Sequence, residues 1–342
     1  MTLPSLSVVI PNYNHGRFIR EALTAVLEQS VPPREVVVVD DASTDDSREV
    51  VAALAERHPS VRLLHHERNQ GPVAALQHGL EICTGDYVTF FAADDKALPG
   101  YFERSLRLLA RHPSAGLCSA LVRLMAETGE DLGPFHSARI SETECFVPPQ
   151  RFLETYELWG NWIVTYSVIY RRAAVLELGG LDARLDPVSD ALLCLTLPAR
   201  HGACFIPEPL VMWRKLDTSY AMSAVHDPLN AISWIEALCA RLRGPRFADL
   251  FPSSFLTDLK RQGLTISLYE HARLHPERLD NLEVLLSHMP EPDLLDTVLK
   301  VALHAGPAVA HAILKAYIFL HQKPADRRRI AIGKIMGVLR GT

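Results

Sequence analysis

No two of the six cysteines, Cys83, Cys118, Cys145, Cys194, Cys204 and Cys239, have the close paired spacing of a structural zinc site. Several sit among apolar neighbours, as in Gly116 to Ala120 and Ala203 to Ile206, where a free thiol behaves as a small hydrophobe. Reduced thiols, and with them the cytoplasm, are the expectation. Positive charge is also in short supply. Lys and Arg number 35 against 40 Asp and Glu, a net charge of −5, so no global field exists to neutralise nucleic-acid phosphates. Met1 to Ser5 runs into a strand signal with no basic and apolar leader, so a secretory signal is not expected. Long apolar runs are scarce. Val301 to Leu320 is the one stretch resembling a membrane span, and His304, His311, Lys315 and a Gly306-Pro307 break interrupt it. A Lys near the centre of a span costs about 3 kcal/mol, so a buried or docking helix pair is the better reading. The nucleotide fingerprints are missing as well. No Gly-x-Gly-x-x-Gly follows the first strand and no Gly-x-x-x-x-Gly-Lys-Ser/Thr occurs, which sets aside dinucleotide dehydrogenases and P-loop enzymes.

What remains is an ordinary globular composition, 48% hydrophobic and 22% charged over 342 residues, which excludes a disordered scaffold. Strand and helix signals alternate through the first half. Continuous apolar runs at Ser7 to Ile10, Glu35 to Val39, Val61 to His65 and Tyr87 to Phe91 suit strands buried on both faces of a parallel sheet. Helical spacing falls between them, over Arg17 to Gln29, Asp45 to Arg57 and Val73 to Cys83, and again over Tyr101 to Arg111. Leu117 to Met125, Trp162 to Tyr170 and Ala203 to Ile206 read as further strands. Asp190 to Arg200 reads as a helix holding Pro198, a residue that kinks or shortens helices. The pattern is α/β. From Pro228 onward it turns helical, punctuated by Gly244-Pro245, Pro276, Pro290, Pro292, Gly306-Pro307 and Pro324. Two domains follow, residues 1–222 and 223–342.

Ligands of open parallel sheets bind at the carboxyl ends of the strands. Those ends carry Pro11 to Gly16, then Asp40, Asp41, Ala42 and Ser43, then Ala92, Ala93, Asp94 and Asp95. Four carboxylates on one edge repel unless a cation or several donors compensate, and a hard divalent metal bound to phosphate would do so.

These segments carry a resemblance. Ser7 to Asn14 (SVVIPNYN), Val36 to Asp45 (VVVVDDASTD), Asn69 to Gly71 with Gly85 to Tyr87, and Ala93 to Asp95 resemble, in order and spacing, the family 2 inverting glycosyltransferases of GT-A fold. The likeness continues through Gly179 to Asp182, Ser189-Asp190 and Pro207 to Arg214, and covers roughly the first 220 residues. It implies a nucleotide-diphospho-sugar transferase fold with a mostly parallel central sheet, followed here by an all-α region outside the resemblance. It implies that Pro11, Asn12, Tyr13, Asp40, Asp41, Asn69 and Asp94 hold the nucleotide, with UDP favoured. It implies that Asp94 and Asp95 hold Mg²⁺ or Mn²⁺ on the diphosphate; the leading acid of the fuller family pattern is Ala92 here. The general base maps to Asp190, preceded by Ser189 rather than Glu. Trp213 and Arg214 become candidates for contact with the diphosphate or acceptor. The implied partners are a nucleotide-sugar donor and a saccharide or lipid-linked glycan acceptor, without nucleic acid.

Plainer readings stand beside these. Asp40 and Asp41 also suit a strand terminus with Ser43 or Thr44 capping the next helix, and Asp94 and Asp95 a loop before a helix. Asp190 suits an ordinary helix start, and Trp213 with Arg214 suits packing. His271 and His275 have metal-compatible spacing but no third ligand, and read as a surface pair. The segment Lys323 to Thr342 holds six basic residues against one acid, interleaved with Ile330, Ile332, Ile335, Met336, Val338 and Leu339. It suits docking on its own domain, a homo-oligomer contact, or peripheral contact with the inner face of a membrane. A non-catalytic nucleotide-sugar or glycan-binding relative is the competing function, motivated by Ala92 and Ser189, and a nucleotidyltransferase is the weaker third.

Overall fold

A computed structural model describes residues 2–135, 137–216 and 227–321. The chain divides into two compact units, Met1–Leu153 with Asn161–Leu216, and Glu154–Gly160 with Asp217–Thr342. The basic segment from Lys323 and the expected boundary near residue 222 lie outside the described residues.

The first unit is built on one ten-stranded sheet. Its strands are β1 (Leu6–Asn12), β2 (Glu35–Asp40), β3 (Val61–His65), β4 (Tyr87–Phe90), β5 (Lys96–Ala97), β6 (Leu117–Met125), β7 (Asp131–Pro134), β8 (Cys145–Val147), β9 (Ile169–Arg171) and β10 (Ala203–Arg214). The helices are α1 (Gly16–Leu27), α2 (Ser47–Ala55), α3 (Pro72–Ile82), α4 (Tyr101–Arg111), α5 (Pro149–Trp159), whose residues from Glu154 are assigned to the second unit, α6 (Arg172–Glu177) and α7 (Ser189–His201). Strand order is β3-β2-β1-β4-β9-β6-β10-β5, with β7 beside β6 and β8 beside β10. Pairing is parallel from β3 through β4 and again between β6 and β10. It turns antiparallel where β9 sits between β4 and β6.

The valine run Val36–Val39 is wholly buried, as a strand covered on both faces requires. Helix α3 approaches β1 through Gly79, where a Cβ would lie 2.3 Å from Val9 Cγ1, so only glycine fits the contact. Two sequence expectations change. The apolar run from Trp162 is a 3-10 turn at Thr165–Ser167 before β9 begins, because the Ser167 hydroxyl takes over the ladder by bonding the Ala120 carbonyl and amide. Strand β10 continues past Ile206, where the expected strand ended, through Pro207 and Pro209; register shifts at Pro209 absorb them as a bulge. Elements β5, β7, β8, α5 and α6 were not legible, being short or weakly patterned.

At the amino edge of the sheet, buried Glu35 accepts from the Ser7 hydroxyl (2.8 Å), the Thr84 amide (2.6 Å) and the Thr84 hydroxyl (2.8 Å). Burial alone would raise its carboxyl, but these donors, with Arg62, outweigh it and hold the group below the usual carboxylate range. A depressed folded-state value means stability present at neutral pH and lost as pH falls through that value. Glu35→Gln is expected to cost about 1–2 kcal/mol at pH 7, with the gap to wild type closing below pH ~4, as urea unfolding at the two pH values will show.

The second unit contains α8 (Pro228–Arg243), α9 (Ser253–Leu274), α10 (Leu279–Ser287), α11 (Leu294–His304) and α12 (Pro307–His321). The breaks fall at the Gly and Pro residues that punctuate the sequence. Leu264, Leu268, Leu285, Leu286, Leu299 and Tyr317 share its core. The apolar stretch from Val301 is split between α11 and α12, and among the described residues no helix is long and apolar enough to cross a membrane. Asp293, Asp296 and His321 converge, and the cation among them is the Arg261 guanidinium, 3.0 Å from Asp296. His271 is buried, with Nδ1 3.0 Å from the Ser267 carbonyl, which replaces the surface pair expected with His275.

Candidate active site

Strand β1 lies between β2 and β4, and the loops leaving the carboxyl ends of these three strands lie side by side. The strand order 3-2-1-4 reverses direction between β1 and β4, the place where doubly wound sheets hold ligands.

The loop after β2 turns through Ala42, whose positive φ of 63° costs about 1 kcal/mol and persists because its neighbours fix it. Asp40 does much of the fixing. It accepts from Asn12 Nδ2 at 2.8 Å and from the Ser43 amide at 3.0 Å, and is 1% exposed. Asp41 is equally buried and faces the other way, taking the amides of Gln70 (2.9 Å) and Gly71 (2.7 Å) and His66 Nδ1 (2.7 Å). Gly71 has φ of 89°, a conformation that favours glycine, and its amide also bonds Asn69 Oδ1. The edge presented outward comprises Tyr13, 46% exposed, with half-buried Pro11 and exposed Asn69. Beside it, buried Asn12 Oδ1 accepts no hydrogen bond among the described residues.

After β4 come Asp94 and Asp95. Burial raises both carboxyls. For Asp94, His15 and Arg214 oppose the rise; for Asp95, the neighbouring Asp94 charge adds to it. Asp95 Oδ1 accepts the Arg214 amide at 2.9 Å. The Arg214 side chain is consumed within the fold. Nε bonds the Asp94 carbonyl (2.8 Å), Nη1 the carbonyls of Ala126 (3.3 Å) and Glu127 (2.7 Å), and Nη2 the Glu21 carboxylate (2.5 Å). The guanidinium also lies 4.7 Å from the Phe18 ring centre. It is 2% exposed, and these bonds hold it against the acidic loop and its neighbours, as the packing reading of this residue has it.

The acidic pair fits a hard divalent cation. Two adjacent carboxylates, both raised by burial and one raised further by the charge of the other, are the donor set that such an ion relieves, and both offer oxygen. No third acid comes from position 92, where Ala stands.

Asp190 occupies the first turn of α7, where the helix dipole favours negative charge. Burial nevertheless pushes its carboxyl above the ordinary range, against hydrogen bonds from the Ala191 amide and Thr165 hydroxyl. Ser189 beside it accepts the Asp182 amide at 2.7 Å, tying the Gly179–Asp182 loop to the helix start. Tyr166, which the sequence did not single out, links the two acidic centres. Burial raises its hydroxyl first, and the charges of Asp95, Asp190 and Asp94 add to the rise, so all three stand within electrostatic reach of one ring. That ring stacks on Trp213 (4.7 Å between centres, 9° between planes), and Phe135 meets both rings edge-on. Tyr166 escaped notice because it lies inside the run Trp162 to Tyr170, which reads as a strand, with no motif around it.

Residues 7–172 match the family model described as glycosyl transferase family 2. An uncharacterised glycosyltransferase, YibD of Escherichia coli (strain K12), is 32% identical over 175 residues, half of this chain and half of YibD. Among solved structures, S. aureus TarS 1-349 in complex with UDP-GlcNAc aligns with a TM-score of 0.62 at 18% identity, covering 93% of this chain and 90% of that one. The mannosyltransferase PcManGT of Pyrobaculum calidifontis, in complex with GDP-Man and Mn²⁺, gives 0.56 at 20% identity, covering 94% and 86%. These likenesses show a shared fold, GT-A-like, with a mixed sheet flanked by helices and a helical region after it. The sequence match and the fold agree: residues 7–172, nearly half of the chain, form a glycosyl transferase family 2 domain.

Proposed function

We propose that this chain is a metal-dependent, inverting glycosyltransferase that moves a sugar from a nucleoside diphosphate, UDP in the favoured case, to a hydroxyl of a saccharide or lipid-linked glycan. The observation that carries the reading is the arrangement around Tyr166: a half-buried carboxylate, Asp190, with raised proton affinity, and a second acidic centre, Asp94 and Asp95, whose charges act on the same ring. A base and a leaving-group site on one surface are what a single displacement needs. The solved structures of similar fold hold UDP-GlcNAc and GDP-Man, which supports nucleoside diphosphate sugars as the donor class.

In this mechanism Asn12, Tyr13 and Asn69 face the nucleotide, with Pro11, Asp40 and Asp41 shaping that edge. Asp94 and Asp95 would hold Mg²⁺ or Mn²⁺, which would supply Lewis-acid stabilisation of the departing diphosphate. Trp213 and Tyr166 offer an aromatic surface for the acceptor. The acceptor oxygen forms a bond to the anomeric carbon as the bond from that carbon to the phosphate oxygen breaks. The electron pair leaves with the diphosphate and the acceptor proton passes to Asp190. A raised proton affinity suits a base that must accept a proton near neutral pH. Cytoplasmic placement, at the inner face of a membrane where the acceptor is lipid-linked, completes the proposal.

The competing reading, a binding module without turnover, keeps its support in Ala92. The test is release of free nucleoside diphosphate from UDP-, GDP- and dTDP-sugars at high enzyme concentration. Release from one donor class, lost on adding EDTA and restored by Mn²⁺, is expected. No release from any donor would favour the binding module, and release of pyrophosphate would point to a nucleotidyltransferase.

A further inference from the structure

Asp41 leads away from the candidate site into a second polar chain. His66 Nδ1 stands 2.7 Å from Asp41 Oδ1, and His66 Nε2 stands 3.0 Å from His78 Nδ1 on α3. The two rings are within 3° of parallel, and His66 is 8% exposed. An ionised carboxylate donates nothing, so the proton between Asp41 and His66 belongs to Nδ1. In the neutral His66 ring Nε2 is then the acceptor and His78 Nδ1 donates to it, so that the chain runs from helix to carboxylate. Asp41 then spends its remaining acceptor capacity on the amides of Gln70 and Gly71. Both imidazoles, with Gln70, Gln77 and Glu81, line an open cleft of about 400 Å³. From the same helix Gln77 Oε1 accepts the Leu181 amide at 3.0 Å, so α3 braces the Asn69–Gly71 loop and also the loop that Ser189 ties to α7.

We infer that His66, braced by His78, is a positioning residue for the donor nucleotide, acting through Asp41 on the backbone of Asn69–Gly71. The inference rests on the proposed reading of this edge as the nucleotide site. The imidazole never touches the nucleotide. It supplies the hydrogen bond that holds the Asp41 carboxylate in the orientation that receives both loop amides. Without it, Asp41 is left buried with a donor missing and turns toward water, taking the loop with it.

The experiment compares three full-length proteins: wild type, His66→Leu, which removes the donor, and His66→Asn, whose amide keeps a donor near the Nδ1 position. Two readouts are taken on each. Hydrogen exchange reports the Gln70 and Gly71 amides without any ligand. Calorimetry with UDP, GDP and dTDP in the presence of Mn²⁺ reports nucleotide affinity, and turnover with the matching sugar separates KM from kcat. Expected in His66→Leu is exchange of the two amides at least about tenfold faster, with Kd and donor KM about tenfold higher, the size of one lost hydrogen bond to a charged group. The kcat changes by less than about threefold, since the positioning acts on binding rather than on the displacement. His66→Asn recovers most of both losses. Unchanged exchange, unchanged affinity, or no recovery in His66→Asn overturns the inference. Should His66→Leu fail to fold, His78→Phe, which keeps the ring and removes the bracing nitrogen, is expected to move both readouts the same way, and no movement overturns it. A wild type that binds none of the three nucleotides, while the exchange pattern holds, defeats the nucleotide reading and the inference with it. The exchange data then place the fault in that reading rather than in the bracing.

Discussion

Asp190→Asn is expected to lower kcat by about 10²–10⁴-fold while the nucleotide Kd stays within about twofold of wild type. The substitution preserves shape and removes the one carboxylate at the start of α7. The amide is no base, so the acceptor hydroxyl must lose its proton to water or attack with it in place. Nucleotide affinity is spared because the proposed nucleotide edge lies at the ends of β1 and β2, on other loops. The direction of the Asp190 shift adds a pH signature. A base acts when deprotonated, so activity rises with pH through its pKa. Because burial raises that value, the acidic limb of kcat/KM is expected above the ordinary aspartate value of ~3.9. Single-turnover kinetics across pH, alongside calorimetry of the variant, would check both. Undiminished turnover in Asp190→Asn would discard the base assignment.

Arg214→Met is expected to destabilise the first unit by about 3–5 kcal/mol and to weaken Mn²⁺ binding at the acidic loop. The methionine fills much of the volume but strands two backbone carbonyls, of Asp94 and Glu127, that the guanidinium satisfies, while that of Ala126 keeps the Gly129 amide. Each buried acceptor left unpaired costs on the order of 1–3 kcal/mol. Arg214→Lys is expected to recover little, since one ammonium cannot reach carbonyls spread around a planar fork. Glu21→Gln is the milder comparison. Glu21 is 41% exposed at its side chain and also pairs with Lys96, so its charge contributes about 1 kcal/mol or less. Urea unfolding of the three variants, with Mn²⁺ titration of each, measures the effect. A cost under about 1 kcal/mol for Arg214→Met would show that the acidic loop holds its place without this clamp.

The two predictions treat neighbouring parts of one surface differently because the structure does. Asp190 is half-buried at the start of α7, and burial raises its carboxyl against two donors, the Ala191 amide and the Thr165 hydroxyl. Arg214 carries the charge that sequence reading would offer to a diphosphate, yet its donors are turned inward. A charged residue within a family motif is therefore as open to a scaffolding role as to a binding one, and the acceptors around it decide. Asp40 and Asp41 make the same point. Both stand where the resemblance placed nucleotide contacts, and both are almost fully occupied holding the turns that shape that edge.

The sequence by itself determined the strands β1 to β4, the helices between them, the position of the acidic edge and the break into a helical second unit. The physical reason is local. A strand covered on both faces must be a continuous apolar run, as Val36–Val39 is, and a helix in water must end where Gly or Pro ends it, as at Gly244-Pro245 and Gly306-Pro307. Only the tertiary structure decided which polar groups meet. Glu21 and Arg214 are 193 positions apart, and His66 and His78 belong to elements whose pairing no periodicity records. Tyr166 joins Asp190 to the acidic pair only once β9 has entered the sheet between β4 and β6. Hydrogen bonds and charge pairs depend on distances of a few ångströms set by sheet order and register. The chain carries apolar burial residue by residue, whereas its polar geometry exists only after folding.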